Sequence, residues 1–295
     1  MTAVMEQWFD PNPVICDKRE VALLEACAQG DLGQAMAVVG GGGGGVDWHC
    51  GNDQPFRRAC RSGHLHVARW LVETLGGVDV HFGKDEAFRD ACFFGHLEVA
   101  QWLVGQGGVD VNAKEGQAFY VACTRGHLRV AQWLASVPSL CSLPHWVSST
   151  VMNVCRNGHL EVLQWLVAAG IVDLLHRRSD SAFMNACYGG CLDVAQWLFA
   201  QFGVSGAFRQ RVLKGTCAFG RLQVVKWLVS LGGMNIHAND NYAFSVLQAG
   251  GQREACRWLL ELDPRPDAWP VACVDYVRQW GPCRDAWMRA VTAAT

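Results

Sequence analysis

Residues Glu86–Gly105 read EAFRDACFFGHLEVAQWLVG. Phe88, Ala91, Cys92 and Gly95 fall at i, i+3, i+4 and i+7, which is one face of a helix. Alanine and cysteine are small, so a neighbouring helix can approach closely across that face. Gly95 predicts a left-handed C-cap that ends the helix. A second helix is expected at once, from His96 to about Gly105. Leu97, Ala100, Leu103 and Val104 form its apolar stripe, Trp102 stands beside them, and Glu98 and Gln101 face water. Each helix is only about nine residues, roughly 13 Å long. Helices that short must take their order from neighbours.

The same unit recurs along the chain. Tryptophan stands at 70, 102, 133, 165, 197, 227 and 258. Cysteine stands ten residues before all but the last of these, at 60, 92, 123, 155, 187 and 217. Glycine follows each cysteine by three, at 63, 95, 126, 158, 190 and 220. The steps are 30 to 32 residues. A period of that size means one small unit stacked many times rather than one globular core. Between units lie Gly76-Gly77-Val78-Asp79-Val80, Gly107-Gly108-Val109-Asp110-Val111-Asn112 and Gly232-Gly233-Met234-Asn235-Ile236. Paired glycines break the helix, and the residues after them predict an extended finger or hairpin-like turn. The unit is therefore helix, tight turn, helix, projecting loop.

The chain has 295 residues, 51% of them hydrophobic and 18% charged, with a net charge of −2. That is ample core material, and too little charge for disorder. A phosphate-binding surface would need a marked basic excess, so nucleic acid is not the expected partner. Fourteen cysteines are present, six at one repeat position, where free cysteine serves as a small buried apolar residue. No Cys-x-x-Cys pair occurs, so a structural zinc site lacks its usual spacing. A reducing compartment is expected. Met1–Pro13 lacks the pattern of a signal peptide, and no run of 18 apolar residues predicts a membrane span.

These residues resemble the ankyrin repeat, a unit of about 33 residues with two antiparallel helices and a β-turn finger. The likeness rests on Gly-His-Leu at 63–65, 95–97, 126–128 and 158–160 and on Val-Asp-Val-Asn at 109–112. It implies an all-α ankyrin-like solenoid of about eight helix-turn-helix repeats with projecting finger loops and capped ends. The Phe, Cys and Trp variety is similar to arrays of large DNA viruses and protists. The family's Thr-Pro-Leu-His is missing. Its place is taken by Gln54-Pro55-Phe56-Arg57, Glu86-Ala87-Phe88-Arg89, Gln117-Ala118-Phe119-Tyr120 and Ser181-Ala182-Phe183-Met184. The family histidine that links neighbouring repeats thus has no expected equivalent. Phe and Trp are expected to supply that cohesion by packed area.

Residues 1–18 read as an N-terminal cap, 19–262 as the ankyrin-like array, and 263–295 as a C-terminal helical cap. Terminal repeats are expected to differ because one side faces water. Ala37 replaces tryptophan in the first repeat. Gly40–Gly45 lacks the lysine and Ser or Thr that follow a phosphate-cradling loop, and reads as an expanded Gly-Gly pair. Ser136–Ser149 replaces the usual finger, as a contact site or as drift. Trp269, Ala272 and Cys273 echo the Phe-Ala-Cys face, and Trp269, Trp280 and Trp287 serve the cap or cover a partner.

Catalytic signatures are missing. His64, His96, His127 and His159 recur beside the turn glycine and are expected to bond local backbone at a helix start. Asp47, Asp79, Asp110 and Asp173 recur in the fingers, where an acid more often caps backbone than moves a proton. His49, His81, His176 and His237 lie near finger tips without a third and fourth metal ligand. No Gly-x-Ser-x-Gly, paired-carboxylate or dinucleotide fingerprint occurs. No cofactor or metal is expected, and no enzyme.

The resemblance places recognition on inner helices and finger tips that line a concave groove. Inner-helix candidates, just after the repeat cysteines, are Arg61, Phe93, Phe94, Arg125, Arg156, Tyr188 and Phe219. Finger candidates are Trp48, Phe82, Lys84, Lys114, Trp146, Arg177, Arg178 and Tyr242. Aromatic and arginine side chains most often dominate interface energy. The expectation is a non-catalytic scaffold that binds a partner protein. A structural subunit of a permanent assembly is the alternative, and an enzyme or small-molecule receptor a remote one. The expected location is intracellular and cytoplasmic, with the nucleus or a viral factory left open.

Overall fold

The structure, a computed structural model, describes residues 18–41, 46–137, 147–172, 179–263 and Trp269. They belong to two compact units divided between Trp146 and Val147, inside the irregular stretch 136–149. Apart from Lys18, Asp263 and Trp269, both expected caps lie outside the described residues, as do Gly42–Gly45 and Asp173.

Every regular element among the described residues is helical. Unit 1 holds α1 (Lys18–Gln29), α2 (Leu32–Gly40), α3 (Cys50–Arg61), α4 (Leu65–Trp70, continued by a π turn over Leu71–Leu75), α5 (Phe82–Phe94), α6 (Leu97–Gly105), α7 (Ala113–Thr124) and α8 (Leu128–Ser136). Unit 2 holds α9 (Val147–Asn157), α10 (Leu160–Ala168), α11 (Ser179–Gly189), α12 (Leu192–Phe202), α13 (Gly206–Ala218), α14 (Leu222–Ser230), α15 (Ala238–Ala249) and α16 (Arg253–Leu262). Within each unit the first helices of successive pairs lie side by side, and each second helix packs on its own partner.

The periodic apolar face is the core. Phe56, Phe88, Phe119, Phe183 and Phe244 are fully buried, together with the alanine and cysteine that follow each of the first four and Leu247 after the last. Burying one such phenylalanine is worth about 2–3 kcal/mol. The phenylalanine of one repeat meets the tryptophan of the next. Ring centroids are 6.3 Å apart for Phe56 and Trp102, 6.4 Å for Phe88 and Trp133, and 6.1 Å for Phe183 and Trp227. Trp102 is buried and the other repeat tryptophans are half-buried. Trp269 is buried as well. It packs 5.5 Å from Phe244 and donates from its indole to the Asp263 carbonyl at 2.7 Å, so this tryptophan covers its own chain.

Cohesion is also polar, which corrects two expectations. The turn histidines do not bond local backbone. His64, His96 and His127 donate from Nε2 to the carbonyls of Ala28, Arg61 and Phe93 at 3.0, 3.0 and 2.9 Å. Each acceptor lies 34 to 36 residues earlier, on the repeat before. In unit 2, Cys191 Sγ reaches Arg156 O at 3.3 Å and Arg221 Nε reaches Tyr188 O at 3.0 Å from the corresponding place. The linking role thus moved to another position and changed residue type. The turn glycine answers two demands at once. Gly95 ends α5 at φ 83°, ψ 18°, and a Cβ there would stand 2.5 Å from Nδ1 of His127.

No strand forms in the fingers among the described residues. Gly51-Asn52-Asp53, Gly83-Lys84-Asp85 and Lys114-Glu115-Gly116 each form a left-handed turn running into the helix. Left-handed backbone costs a non-glycine residue roughly 1–2 kcal/mol, so these turns need outside support. Arg57 donates to the Asn52 and Gly51 carbonyls at 3.2 and 2.9 Å, and Arg89 donates to those of Lys84 and Gly83. Asp53 Oδ1 takes a hydrogen bond from His49 Nδ1 at 2.5 Å, and its Oδ2 takes one from the Asp79 amide at 2.9 Å in the next finger. Asp85 repeats this with His81 at 2.6 Å and the Asp110 amide at 3.1 Å. The finger acids cap backbone, as expected. Asp47, Asp79 and Asp110 accept from the amides of His49, His81 and Asn112.

Two predictions follow from this packing. Gly63→Ala and His96→Ala should each destabilise the protein, by about 1–3 kcal/mol, through left-handed strain with a steric clash and through a lost hydrogen bond. The double variant should lose less than the sum, because removing the ring removes the clash. A thermodynamic cycle from denaturant melts measures this, and strict additivity would contradict the contact. The second concerns thiols. Burial pushes Cys27, Cys123, Cys155 and Cys217 up to about 12 and raises Cys60, Cys92 and Cys187 as well. Thiolate is the reactive form. Mass-mapped alkylation of the native protein should label these seven positions slowly, and rapid labelling without denaturant would refute the core assignment.

Candidate functional site

The last turn of each first helix leaves the core, and the residues after the repeat cysteine emerge there. In unit 1, Phe93 and Phe94 end α5, with ring centroids 4.8 Å apart in an edge-on arrangement. Arg61 of α3 holds its guanidinium carbon 4.9 Å over Phe94, and Arg125 after α7 holds its own 4.1 Å over Phe93. Phe94 also stacks on His96 at 6.5 Å and is 37% exposed. Four of the expected residues thus form one strip across α3, α5 and α7.

Charges lie behind this strip. Arg57 pairs with Glu86 at 3.1 Å. Burial raises the Asp90 carboxyl to about 6, against the pull of Arg61. Burial likewise lowers Arg89 and His96 from their ordinary values.

Unit 2 carries a second strip. Phe219, just past α13, is 47% exposed. The Tyr188 ring of α11 lies 5.2 Å from it, and the Arg156 guanidinium of α9 lies 5.8 Å over it. The Tyr188 ring rests against Gly215 of α13, where no Cβ would fit. Burial raises the Tyr188 hydroxyl, and Arg211 pulls it back. Tyr242 of α15 is exposed, with the Lys214 ammonium 5.8 Å over its ring.

The finger candidates are placed differently. Trp48 is half-buried, 5.7 Å from His49, and its indole nitrogen has no hydrogen-bond partner among the described residues. Phe82 is half-buried, with the Arg57 guanidinium 5.0 Å over it. Trp48 thus packs within its own finger, and Phe82 packs against a side chain of the preceding repeat. Lys84 and Lys114 are exposed left-handed residues. Trp146, Arg177 and Arg178 lie outside the described residues. His49 and His81 each turn to their own aspartate, and His176 is not described. Among the described residues no three potential metal ligands cluster, and no helix is long and apolar enough to cross a membrane. An open pocket of about 380 Å³ in unit 2 is walled by turn glycines and helix starts around Arg221 and Gln252.

A family model described as "Ankyrin repeats (many copies)" matches residues 88–135. That stretch is similar to ankyrin repeats. The match covers α5 to α8, the stretch with the most regular helix pairs and both cross-repeat phenylalanine and histidine contacts. No curated protein matches the sequence. The crystal structure of the human ASB11 ankyrin repeat domain is similar at 22% identity and a TM-score of 0.49, covering 66% of this chain and 95% of that one.

Sequence reading missed the side chains that support this surface. Arg57 and Arg89 clamp the left-handed turns, and Asp53 and Asp85 tie finger to finger. Their signal was an acid three residues before the repeat phenylalanine and an arginine directly after it. Arg211 and Lys214 were missed because they sit in mid-helix, away from the cysteine register.

Asp90 yields a test of the charges behind the first strip. Its folded carboxyl is raised above the unfolded value of about 4, so its ionisation opposes folding and stability falls as pH rises through about 6. Asp90→Asn should therefore raise the melting temperature at pH 7.5 by about 2–5 °C. The gain should vanish as pH falls toward 4. A gain independent of pH in paired thermal melts would show that the buried charge is not its cause.

Proposed function

We propose that this chain is a non-catalytic scaffold that binds a partner protein through the ends of its inner helices. Ankyrin repeats are generally protein–protein interaction modules. The observation that carries the reading is the pairing of arginines with half-exposed aromatic rings at the ends of first helices in both units. Such pairs hold flexible arginines in place before a partner arrives, which lowers the entropy lost on binding. Aromatic and arginine anchors are the residue types that dominate protein interfaces.

The anchors are Arg61, Phe93, Phe94 and Arg125 in unit 1 and Arg156, Tyr188, Phe219 and Tyr242 in unit 2. Residues 1–18 and 263–295 close the two ends of the array in this reading. The buried thiols of Cys60, Cys92, Cys123, Cys155, Cys187 and Cys217 suit a reducing, intracellular setting, taken here as the cytoplasm.

Affinity capture from the native source, with quantitative mass spectrometry, tests the reading. Phe93→Ala and Tyr188→Ala should each reduce a specifically captured protein about ten-fold or more. Both variants should melt within about 2 °C of the parent, since neither residue is a core position. Equal loss of folding and capture would reject these anchors, and unchanged capture would reject the surface.

A further inference from the structure

The two units neutralise their basic side chains differently. In unit 1 the first helices α3, α5 and α7 carry Asp53, Asp85, Glu86, Asp90 and Glu115 among their bases. Arg57 is paired with Glu86, and Arg61 acts on Asp90. In unit 2 the first helices α9, α11, α13 and α15 carry Arg156, Arg209, Arg211 and Lys214. Their acids are Asp180 and Asp240, both within the first three residues of their helices.

Arg156, Arg211 and Lys214 form no ion pair with a described residue. They lean on rings instead. Arg156 lies 5.8 Å over Phe219, Arg211 lies 4.5 Å over Phe208, and Lys214 lies 5.8 Å over Tyr242. Tyr188 joins these contacts. Its ring rests on Gly215, one residue past Lys214 and one turn past Arg211, and lies 5.2 Å from Phe219.

We propose that this strip of unit 2 binds an acidic, extended peptide segment that also carries aromatic or aliphatic side chains. The inference rests on the scaffold reading and names the chemistry of the partner. Carboxylates of the peptide meet Arg156, Arg211 and Lys214, and its apolar side chains lie on the exposed faces of Tyr188, Phe219 and Tyr242. A guanidinium stacked on a ring keeps its N–H edge available to a carboxylate. Cations that form no ion pair with a described residue, set beside exposed rings, offer both attraction and apolar area. A peptide fits better than a nucleic acid because the chain as a whole is acidic, at −2. Phosphate backbones demand a broad basic surface.

The test is selection of a random peptide library on the immobilised full chain, followed by fluorescence-anisotropy titration of the selected peptides. Acidic peptides with apolar side chains should be enriched. Replacing their Glu and Asp by Gln and Asn should weaken binding to the unmodified protein about ten-fold or more, a comparison that needs no variant. Combining Arg156→Gln, Arg211→Gln and Lys214→Gln should cause a similar loss and flatten the salt dependence. Enrichment of neutral peptides that ignore the triple substitution but fail with Phe93→Ala or Tyr188→Ala would overturn the acidic inference and leave the scaffold reading standing. If no selected peptide responds to either set, both fall. If oligothymidylate binds through the three bases and acidic peptides do not compete, the strip is a nucleic-acid surface and the inference is wrong.

Discussion

One imidazole against one glycine sets the terms for the rest of this chain. His96 lies over Gly63 and donates to the Arg61 carbonyl, reaching from its own repeat onto the one before. A helix C-terminus leaves carbonyls without partners. In a single short helix pair water would take them. In the array the next repeat takes one of them, so satisfying a helix end and ordering a neighbour become the same event. The glycine must be left-handed to end its helix and bare to admit the ring. A repeat of about 31 residues can tolerate drift elsewhere, but this joint constrains both of its sides together.

The joint explains which parts of the fold were legible in the residues. Phe88, Ala91, Cys92 and Gly95 gave the helix, its buried face and its end, because spacing on one helix is local information. The same holds for the Asp110 cap, which bonds an amide two residues away. The partners of His96 and Asp85 lie 35 and 25 residues away. No local pattern states that distance, so the histidines read as local caps and the finger as an extended loop. The missing Thr-Pro-Leu-His likewise suggested lost polar links, whereas the links stand at other positions. At the surface, Phe94 and Phe219 stood out by type and are exposed, but Phe93, Phe82 and Trp48 did so as well, and these three are half-buried. Residue type alone cannot separate an exposed ring from one tucked under Arg57.

The fingers show how local strain is held in place. Lys84 and Asp85 sit in backbone that only glycine enters freely. Arg89, one turn into α5, binds the carbonyls that this turn exposes, and Asp85 spends both carboxylate oxygens on bonds. The strain is thus offset by bonds that only this geometry allows. The arrangement also fixes where each first helix begins, and therefore where its last turn delivers residues to the surface. Phe93 and Phe94 are positioned from the opposite end of their helix.

Position and charge then separate the two units. In unit 1 Arg57 and Arg61 are engaged by carboxylates of the next repeat, Glu86 and Asp90, at the cost of holding Asp90 in poor solvent. A surface charge that is already answered contributes little to attraction and mainly orients the ring it covers. In unit 2 Arg156, Arg211 and Lys214 lie over rings and pair with no acid among the described residues, and a ring answers a cation only in part. The helix ends thus carry cations that meet carboxylates in unit 1 and cations that meet rings in unit 2. Repeat architecture permits this because each repeat needs only its neighbours for stability, which frees side chains at the helix ends to differ from one repeat to the next.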